Sequence, residues 1–187
     1  MRVSPKPQEQ SPWYLKPIYW LQVRHYGQVL LPGRLWGRIP GLLLGVAFLF
    51  GRLNRKESPV SPALRALICV RVSQINDCAF CVDINGAGYL ASADAPHEKL
   101  QQLSSWRESA VFSDLERRVL AYTEAMTDSR LRVDDGLFDS LRQDFDDDGL
   151  VLLTGLIAFQ NMSSKFNAAI AVPAQGFCKI PTGGKDG

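Results

Sequence analysis

Two cysteines separated by two residues carry the clearest chemical signal in this chain. Cys78 and Cys81 form a CxxC pair within the segment VSQINDCAFCVDIN, residues 72–85. On a helix, positions i and i+3 lie on one face, so the two sulfurs can form a short-loop disulfide with little backbone movement. If Asn76 or Asp77 caps this helix, both cysteines lie in its first turn, where the helix dipole and free N–H groups favour thiolate over thiol. The leading hypothesis is a redox-active dithiol.

Other readings of the pair remain open. Cysteine is also an ordinary small buried residue, so a purely structural pair is one alternative. A zinc site needs about four ligands, and the remaining candidates are scattered without a second CxxC or an HxxxH spacing: Cys69, Cys178, His25 and His97. A thioredoxin-type enzyme would place its CxxC next to a βαβ pattern, which is missing here. We therefore expect neither a metal nor another cofactor.

Length and composition are typical of one globular domain with a short appended segment. The chain has 187 residues, of which 46% are hydrophobic. No signal-peptide pattern opens it. The longest apolar stretch, Ile39–Leu53, contains Arg52 and is shorter than a bilayer span of about 20 residues requires. Four cysteines in a chain of this size do not indicate a secreted disulfide framework. The expected location is the cytoplasm.

The N-terminal segment is basic and rich in tryptophan. Residues 1–56, which end at Lys56, hold nine Lys and Arg against the single acidic residue Glu9, whereas the remainder holds 12 basic and 18 acidic residues. Three of the four tryptophans also lie there: Trp13, Trp20 and Trp36. We favour a basic arm that packs on the acidic body of its own or a neighbouring subunit. An anionic membrane surface is the alternative partner, and nucleic acid is disfavoured.

Helix signals dominate the rest of the sequence, and strand alternation is scarce. Gly and Pro breaks, N-cap residues and apolar spacing predict an all-α bundle. The main predicted elements are apolar helices over Trp13–Leu31 and Leu42–Leu53, separated by breaks at Pro32-Gly33 and Pro40-Gly41, a helix after Ser61, the CxxC helix over Cys78–Leu90, a helix opened by a Ser113–Glu116 capping box and reaching Met126, and a long helix over Leu150–Ile170 behind the acidic run Asp146–Asp148.

The stretch Pro62–Leu90, with its CxxC after a long helix, resembles the carboxymuconolactone decarboxylase and AhpD-like alkylhydroperoxidase superfamily. Val119–Thr127, Phe145 with the acidic run, and Ala158–Asn167 look like the rest of that domain. The resemblance covers about residues 58–170 and leaves the first ~55 residues outside. We therefore divide the chain into a helical N-terminal arm (residues 1–57), an AhpD-like domain (58–172) and a C-terminal tail (173–187).

The resemblance implies a small helical domain that assembles into homo-oligomers. In the peroxidase branch of the family, the second cysteine attacks a hydroperoxide and the first resolves the sulfenic acid into a disulfide. A dithiol such as a lipoyl group then reduces that disulfide. By position, Cys81 is the peroxidatic residue and Cys78 the resolving one. The chain is thus expected to be a thiol-dependent peroxidase.

The positions of the family's proton relay carry other residues here. The family's glutamate falls at Ala66, and its two histidines fall at Phe80 and Asn85. On a helix, Asn85 shares a face with Cys81, so its amide can hydrogen-bond a sulfur, but an amide does not accept a proton near pH 7. The usual relay is therefore missing, although Asn85 stays a candidate site residue.

Two carboxylates are further candidates for the site. Asp83 is the nearest in sequence, but its i+2 spacing from Cys81 puts it about 160° away around the helix. We expect it to cap, pair with or serve a neighbouring segment. Glu124 is expected mainly at the solvated surface, with an approach to the cysteines as the alternative.

Two other functions compete with the peroxidase. A decarboxylase acting on a polyanionic lactone needs convergent cationic groups, and outside the N-terminal arm only Arg65 and Arg71 qualify, each more typical of a solvated helix face. A non-catalytic oligomeric or membrane-surface binding protein on the same fold is the second alternative, because the relay is missing and the arm is basic and aromatic.

Overall fold

In this computed structural model, which describes residues 1–55, 57–92 and 95–179, the described secondary structure is helical and contains no β-strand. This confirms the all-α prediction. Lys56 and residues 180–187 of the tail lie outside the described residues. In chain order the α-helices are α1 Lys16–Tyr26, α2 Leu31–Trp36, α3 Pro40–Leu53, α4 Pro62–Ile75, α5 Ala79–Leu90, α6 His97–Gln102, α7 Asp114–Thr127, α8 Asp135–Ser140 and α9 Asp147–Ile170.

Helix α4 lies at the centre of the bundle, where it packs against α5, α7 and α9. Ser61 begins this helix by accepting the N–H of Leu64 at its hydroxyl. Apolar side chains at helical spacing then form one buried cluster with α7 and α9, which includes Ile68, Val72, Val119, Tyr122, Leu153 and Ile157. Burial of such a side chain contributes about 1.5–3 kcal/mol. The core therefore holds the C-terminal end of α4 in place, and the cysteines begin three residues after that end.

The predicted caps of α7 and α9 are present. Ser113 and Glu116 form the reciprocal capping box of α7. The Asp146 carboxylate accepts the N–H of Gly149 and begins α9 three residues before the predicted start at Leu150. Acidic residues at a helix start are stabilised by its free N–H groups and dipole.

The N-terminal segment departs from the prediction at its breaks. The helix predicted over Trp13–Leu31 is shorter, because Gly27 ends α1 in the left-handed conformation with φ +75°. Pro32 and Gly33 do not separate two helices but lie within α2. Proline is tolerated there, since the first-turn N–H groups of a helix have no intrahelical partner.

This segment packs on the body of the same chain. The Trp36 ring stacks on Phe166 of α9 with centroids 3.7 Å apart, and the backbone N–H of Arg2 donates to the Ile170 carbonyl at 2.7 Å. Within the described ranges, no salt bridge involves a basic residue of the first 55. Aromatic contacts and hydrogen bonds, including one from the Arg2 guanidinium to the Ala169 carbonyl, thus hold it, rather than ion pairs with the acidic body. Across the described parts of the chain, every helix is too short or too polar to cross a bilayer.

Candidate functional site

The CxxC pair lies where α4 turns into α5. Asn76 ends α4, and Asp77 adopts a left-handed conformation with φ +50°. Cys78 is the first residue with the extended backbone of an N-cap, and its Sγ accepts the N–H of Cys81 at 3.2 Å. The expectation that Asn76 or Asp77 caps this helix is therefore wrong, because both residues are used to turn the chain. The sulfur itself receives a free N–H of the first turn, an arrangement that favours thiolate.

A disulfide joins the two cysteines, whose Cα atoms are 5.2 Å apart. Cys78 is 1% exposed and Cys81 is 2% exposed. Apolar side chains from α2, α5, α9 and the tail enclose the pair, among them Leu35, Phe80, Phe166, Val172 and Phe177. The sulfurs are thus shielded from bulk water.

An open pocket of about 510 Å³ adjoins the first cysteine. It is lined by Ser73, Gln74, Asp77, Cys78, Ala79, Val82, Asp83 and Ala174. Cys81 does not contribute to this lining. A molecule that enters the pocket therefore meets Cys78 first.

Asn167 contacts the second cysteine and was not among the residues selected from the sequence. Its Nδ2 donates to Cys81 Sγ at 3.3 Å, across 86 positions of the chain. Asn167 is 1% exposed, and its Oδ1 is buried without a hydrogen-bond partner among the described residues. The available signal was spacing, because Asn167 continues the buried face of α9 that includes Ile157, Gln160 and Ser164.

Among the described residues, those at the family's relay positions make no side-chain hydrogen bond to either cysteine sulfur. Asn85 is half-buried one turn beyond Cys81, and its side chain makes no hydrogen bond with any residue that the structure describes. Ala66 packs against an apolar cluster with α6 and α7 residues. Phe80 is 4% exposed and belongs to the apolar shell of the cysteines. The amide that reaches a sulfur is therefore that of Asn167.

Asp83 anchors the C-terminal segment to α5. Its carboxylate accepts the N–H groups of Gln175 and Gly176 at 2.8 Å each and that of Cys178 at 2.7 Å. Burial by itself would raise the pKa of Asp83, but the backbone N–H groups from Cys178 to Gln175 outweigh it and hold the pKa below its usual value. Asp83 therefore serves a neighbouring segment, as its position around the helix indicated, and it also borders the same pocket as Cys78.

Glu124 is buried, so the expectation of a solvated surface position is wrong. It is 4% exposed and accepts hydrogen bonds from Arg71 Nε at 2.7 Å, from Trp106 Nε1 at 2.8 Å and from Arg107. Burial would raise its pKa, but Trp106, Arg107 and Arg71 together hold the pKa below its usual value. Glu124, Arg71, Trp106 and Arg107 are named here the Glu124 cluster. Within it, the Glu124 carboxylate neutralises the charge of Arg71. The other cation considered for a decarboxylase, Arg65, donates to the Arg55 carbonyl at 3.2 Å.

The two remaining cysteines lie apart from the pair. Cys69 packs against the main core, and burial raises the pKa of its thiol to about 12. Cys178, in the C-terminal tail, packs against α5, where a Cβ added to Gly86 would come within 2.9 Å of its Sγ. The glycine thus allows the tail to approach the helix. In the described ranges, no three His, Cys, Asp or Glu side chains are grouped so as to hold a metal ion.

The sequence pattern of the carboxymuconolactone decarboxylase family matches residues 45–125. The uncharacterized protein YnjA of Escherichia coli (strain K12) is 44% identical over 175 residues, which cover 94% of this chain and 96% of that protein. The similarity to this relative thus extends well beyond residues 45–125.

Two solved structures share the fold. One is an AhpD-core, peroxidase-related protein from Ralstonia eutropha JMP134, with a TM-score of 0.83, 19% identity and coverage of 95% of this chain and 94% of that one. The other is the apo debrominase Bmp8, with a TM-score of 0.80, 19% identity and coverage of 94% and 93%. Coverage this high includes most of the first 57 residues. The structural likeness is therefore wider than residues 58–172.

Proposed function

Because this chain belongs to the carboxymuconolactone decarboxylase family, we propose that it is an AhpD-like thiol peroxidase that reduces hydroperoxides with Cys78 and Cys81. The main observation in support is the disulfide-bonded pair at the start of α5, next to an open pocket. The helix start favours a thiolate, and the second sulfur lies within bonding distance of the first. These are the requirements of a dithiol–disulfide cycle.

The oxidative half of the cycle uses both sulfurs. The Cys81 thiolate attacks the outer oxygen of the hydroperoxide, the O–O bond breaks, and the alkoxide leaves and takes a proton from water. Cys81 is now a sulfenic acid. The Cys78 sulfur attacks the sulfur of Cys81, the S–S bond forms, and the hydroxyl leaves as water with the proton of the Cys78 thiol. Two thiols have been oxidised and one peroxide reduced to an alcohol and water.

The reductive half begins in the pocket. A dithiol such as a lipoyl group attacks Cys78, and Cys81 leaves as a thiolate. The second thiol of the reductant then displaces Cys78 and closes the reductant's own disulfide. This direction of attack is supported by the pocket, which Cys78 borders and Cys81 does not.

A homo-oligomer is part of this proposal. Apolar side chains on α3 stay uncovered in the single chain, with Phe48 73%, Leu42 47% and Leu49 43% exposed. Such a patch is costly in water unless another surface covers it. Light scattering at micromolar concentration is expected to give a multiple of the chain mass. A monomer that binds vesicles of anionic lipid would instead support the membrane-surface alternative.

Single-turnover thiol counting tests the activity. The reduced protein, freed of reductant, receives one equivalent of hydrogen peroxide. We expect the wild type to lose two of its four thiols, with peptide mass spectrometry identifying a Cys78–Cys81 disulfide. Cys81→Ser should not react, and Cys78→Ser should stop at a Cys81 sulfenic acid that dimedone traps. Cys69→Ser is the matched control and should behave as the wild type.

The same reagents separate the competing functions. Repeated turnover with dihydrolipoamide, lost in Cys81→Ser, supports the peroxidase. Persistence of all four thiols under peroxide would overturn it and favour a binding protein. Release of carbon dioxide from a lactone carboxylate by the variant lacking both cysteines would favour the decarboxylase.

A further inference from the structure

We propose that Asn167 is a catalytic residue of the Cys78–Cys81 site: its Nδ2–H group holds Cys81 as a thiolate, and its Oδ1 accepts the O–H of the sulfenic acid formed there. The inference rests on the proposed function and deepens it. It assigns the group that acts on the attacking sulfur in a chain that lacks the family's relay residues.

The first observation is the hydrogen bond itself. Asn167 Nδ2 lies 3.3 Å from Cys81 Sγ, and both residues are buried. A hydrogen bond to a charged acceptor is about twice as strong as a neutral one, and exclusion of water strengthens it further. The amide therefore favours the thiolate over the neutral thiol. It does so without taking up a proton, because an amide does not titrate near neutral pH.

The second observation is the unpaired half of the same amide. Asn167 Oδ1 is the one buried side-chain oxygen or nitrogen in the described ranges that has no hydrogen-bond partner. A native protein retains such an atom at a cost, so it calls for an explanation, and a catalytic role is one of those that apply to buried unpaired groups. Formation of a sulfenic acid on Cys81 would add an O–H donor to the sulfur that Nδ2 already contacts. The orphan oxygen is then satisfied in the intermediate.

The surroundings leave few other polar groups for this role. The cluster around the sulfurs is otherwise apolar. Asp83 is engaged by tail N–H groups, and Arg34 on α2 donates to the Lys6 carbonyl. Asp77 and Lys165 have exposed side chains and are solvated. The charge state of Cys81 thus depends on the helix start and on Asn167.

Alkylation of Cys81 against pH tests the contact without peroxide. The measurement uses Cys78→Ser chains, with each cysteine followed by peptide mass spectrometry. We expect Asn167→Leu to raise the apparent pKa of Cys81 by about one unit, so that alkylation at pH values below the wild-type pKa slows about tenfold. An unchanged pH profile would overturn the proposal.

Asn161→Leu is the matched control on the same helix. The Asn161 amide donates to Thr127 Oγ1 and accepts from Asn76, and it contacts neither sulfur. This variant should lose stability but keep the wild-type profile of Cys81. A shift equal to that of Asn167→Leu would show that the effect is structural and would overturn the proposal.

A second substitution, Asn167→Asp, keeps the test decisive if Asn167→Leu does not fold. Asn167→Asp preserves the shape but puts a negative charge beside the sulfur, so the apparent pKa of Cys81 should rise further than in Asn167→Leu. Circular dichroism verifies the fold of each variant. An Asp variant that folds and alkylates like wild type refutes the assignment even if the Leu variant unfolds.

Peroxide treatment then tests the role of Oδ1. In Cys78→Ser chains, Asn167→Leu should make the Cys81 sulfenic acid oxidise several-fold faster to sulfinic acid. Dimedone trapping measures the lifetime of the sulfenic acid. An unchanged lifetime would refute the proposed role of Oδ1. If alkylation shifts as expected but no variant consumes peroxide, the proposed function fails while the thiolate contact stands. If peroxide is consumed and the profiles coincide, the function stands and Asn167 is not its catalytic residue.

Discussion

The Glu124 carboxylate and the Asn167 amide beside the cysteines are both buried, yet they differ in how fully their polar atoms are paired. Around Glu124, three side chains from two segments, Arg71 of α4 and the adjacent Trp106 and Arg107, donate to one carboxylate. Both sites border a pocket, with Arg71 and Glu124 lining one of about 640 Å³ and Cys78 lining one of about 510 Å³. Around the cysteines, however, Asn167 Oδ1 has no partner among the described residues. A carboxylate that already accepts from three donors gains little from another partner, whereas a buried amide oxygen without a partner gains a hydrogen bond. The comparison separates a polar group that stabilises the fold from one arranged for chemistry.

The buried carboxylates of Asp83 and Glu124 both have a lowered pKa, which is the opposite of what a general base at neutral pH requires. Hydrogen bonds lower the pKa of both Asp83 and Glu124, even though burial acts in the opposite direction. A carboxylate with a lowered pKa is a weaker proton acceptor at neutral pH. Both are therefore anchors of the fold, one for the tail and one for α4, α7 and the segment before α7.

Removal of Glu124 is expected to give the largest effect. Glu124→Ala leaves Arg71, whose side chain is 16% exposed, without its carboxylate partner, and should lower the free energy of unfolding by about 2–4 kcal/mol. Urea denaturation measures it. The control Asp144→Ala breaks a more exposed pair with Arg118 and should cost at most about 1 kcal/mol. Equal losses would contradict the distinction, as would a changed alkylation profile of Cys81.

Removal of Asp83 should have a smaller and more local effect. Asp83→Ala leaves three backbone N–H groups without their acceptor, which should cost about 1–3 kcal/mol. In the oxidised protein, the thiol of Cys178 should then alkylate several-fold faster, because the tail is no longer tied to α5. The exposed Asp139→Ala serves as control. No change at Cys178 would mean that other contacts hold this segment.

Acid should weaken both anchors over the same range of pH. Because the folded pKa of each carboxyl lies below its usual value, its stabilising contribution is complete above the unfolded values of about 3.9 and 4.3. It is lost as pH falls through the lower folded values. We expect little change in stability from these groups between pH 7 and about 5 and a decline below about 4. Asp83→Asn, which does not titrate, should show a shallower decline, and an identical acid limb would argue against the Asp83 contribution.

The smallest effect is expected at Asn85, the amide selected from the sequence. Asn85→His restores a base one turn beyond Cys81, but that side chain makes no hydrogen bond with the described residues, and no orienting carboxylate supports it. Peroxide reduction should rise less than about tenfold, with the pKa of Cys81 unchanged. Stopped-flow rates and thiolate absorbance check both. A larger gain in the rate, together with a lowered pKa of Cys81, would show that the imidazole contacts the sulfur. Position 85, rather than Asn167, would then be the one that controls Cys81.

Local features were predictable because their causes lie within one or two helical turns. The CxxC spacing, the Ser113–Glu116 box and the acidic start of α9 follow from side chains that reach their own backbone. The cap of α5 was missed although it is local, because the left-handed turn at Asp77 transfers capping to Cys78. The propensity of Asn and Asp for caps did not reveal which of three adjacent residues would be extended.

The partners of the site residues were decided by helix packing. Cys81 meets Asn167 across 86 positions, Arg71 meets Glu124 across 53, and Asp83 meets Gln175 across 92. Apolar spacing shows which face of a helix is buried, but the facing element depends on the order and angles in which all helices pack. The sequence thus determined an all-α chain with a dithiol at a helix start. The tertiary structure alone decided that the Asn167 amide contacts the Cys81 sulfur and that Asp83 and Glu124 are already hydrogen-bonded to other parts of the chain.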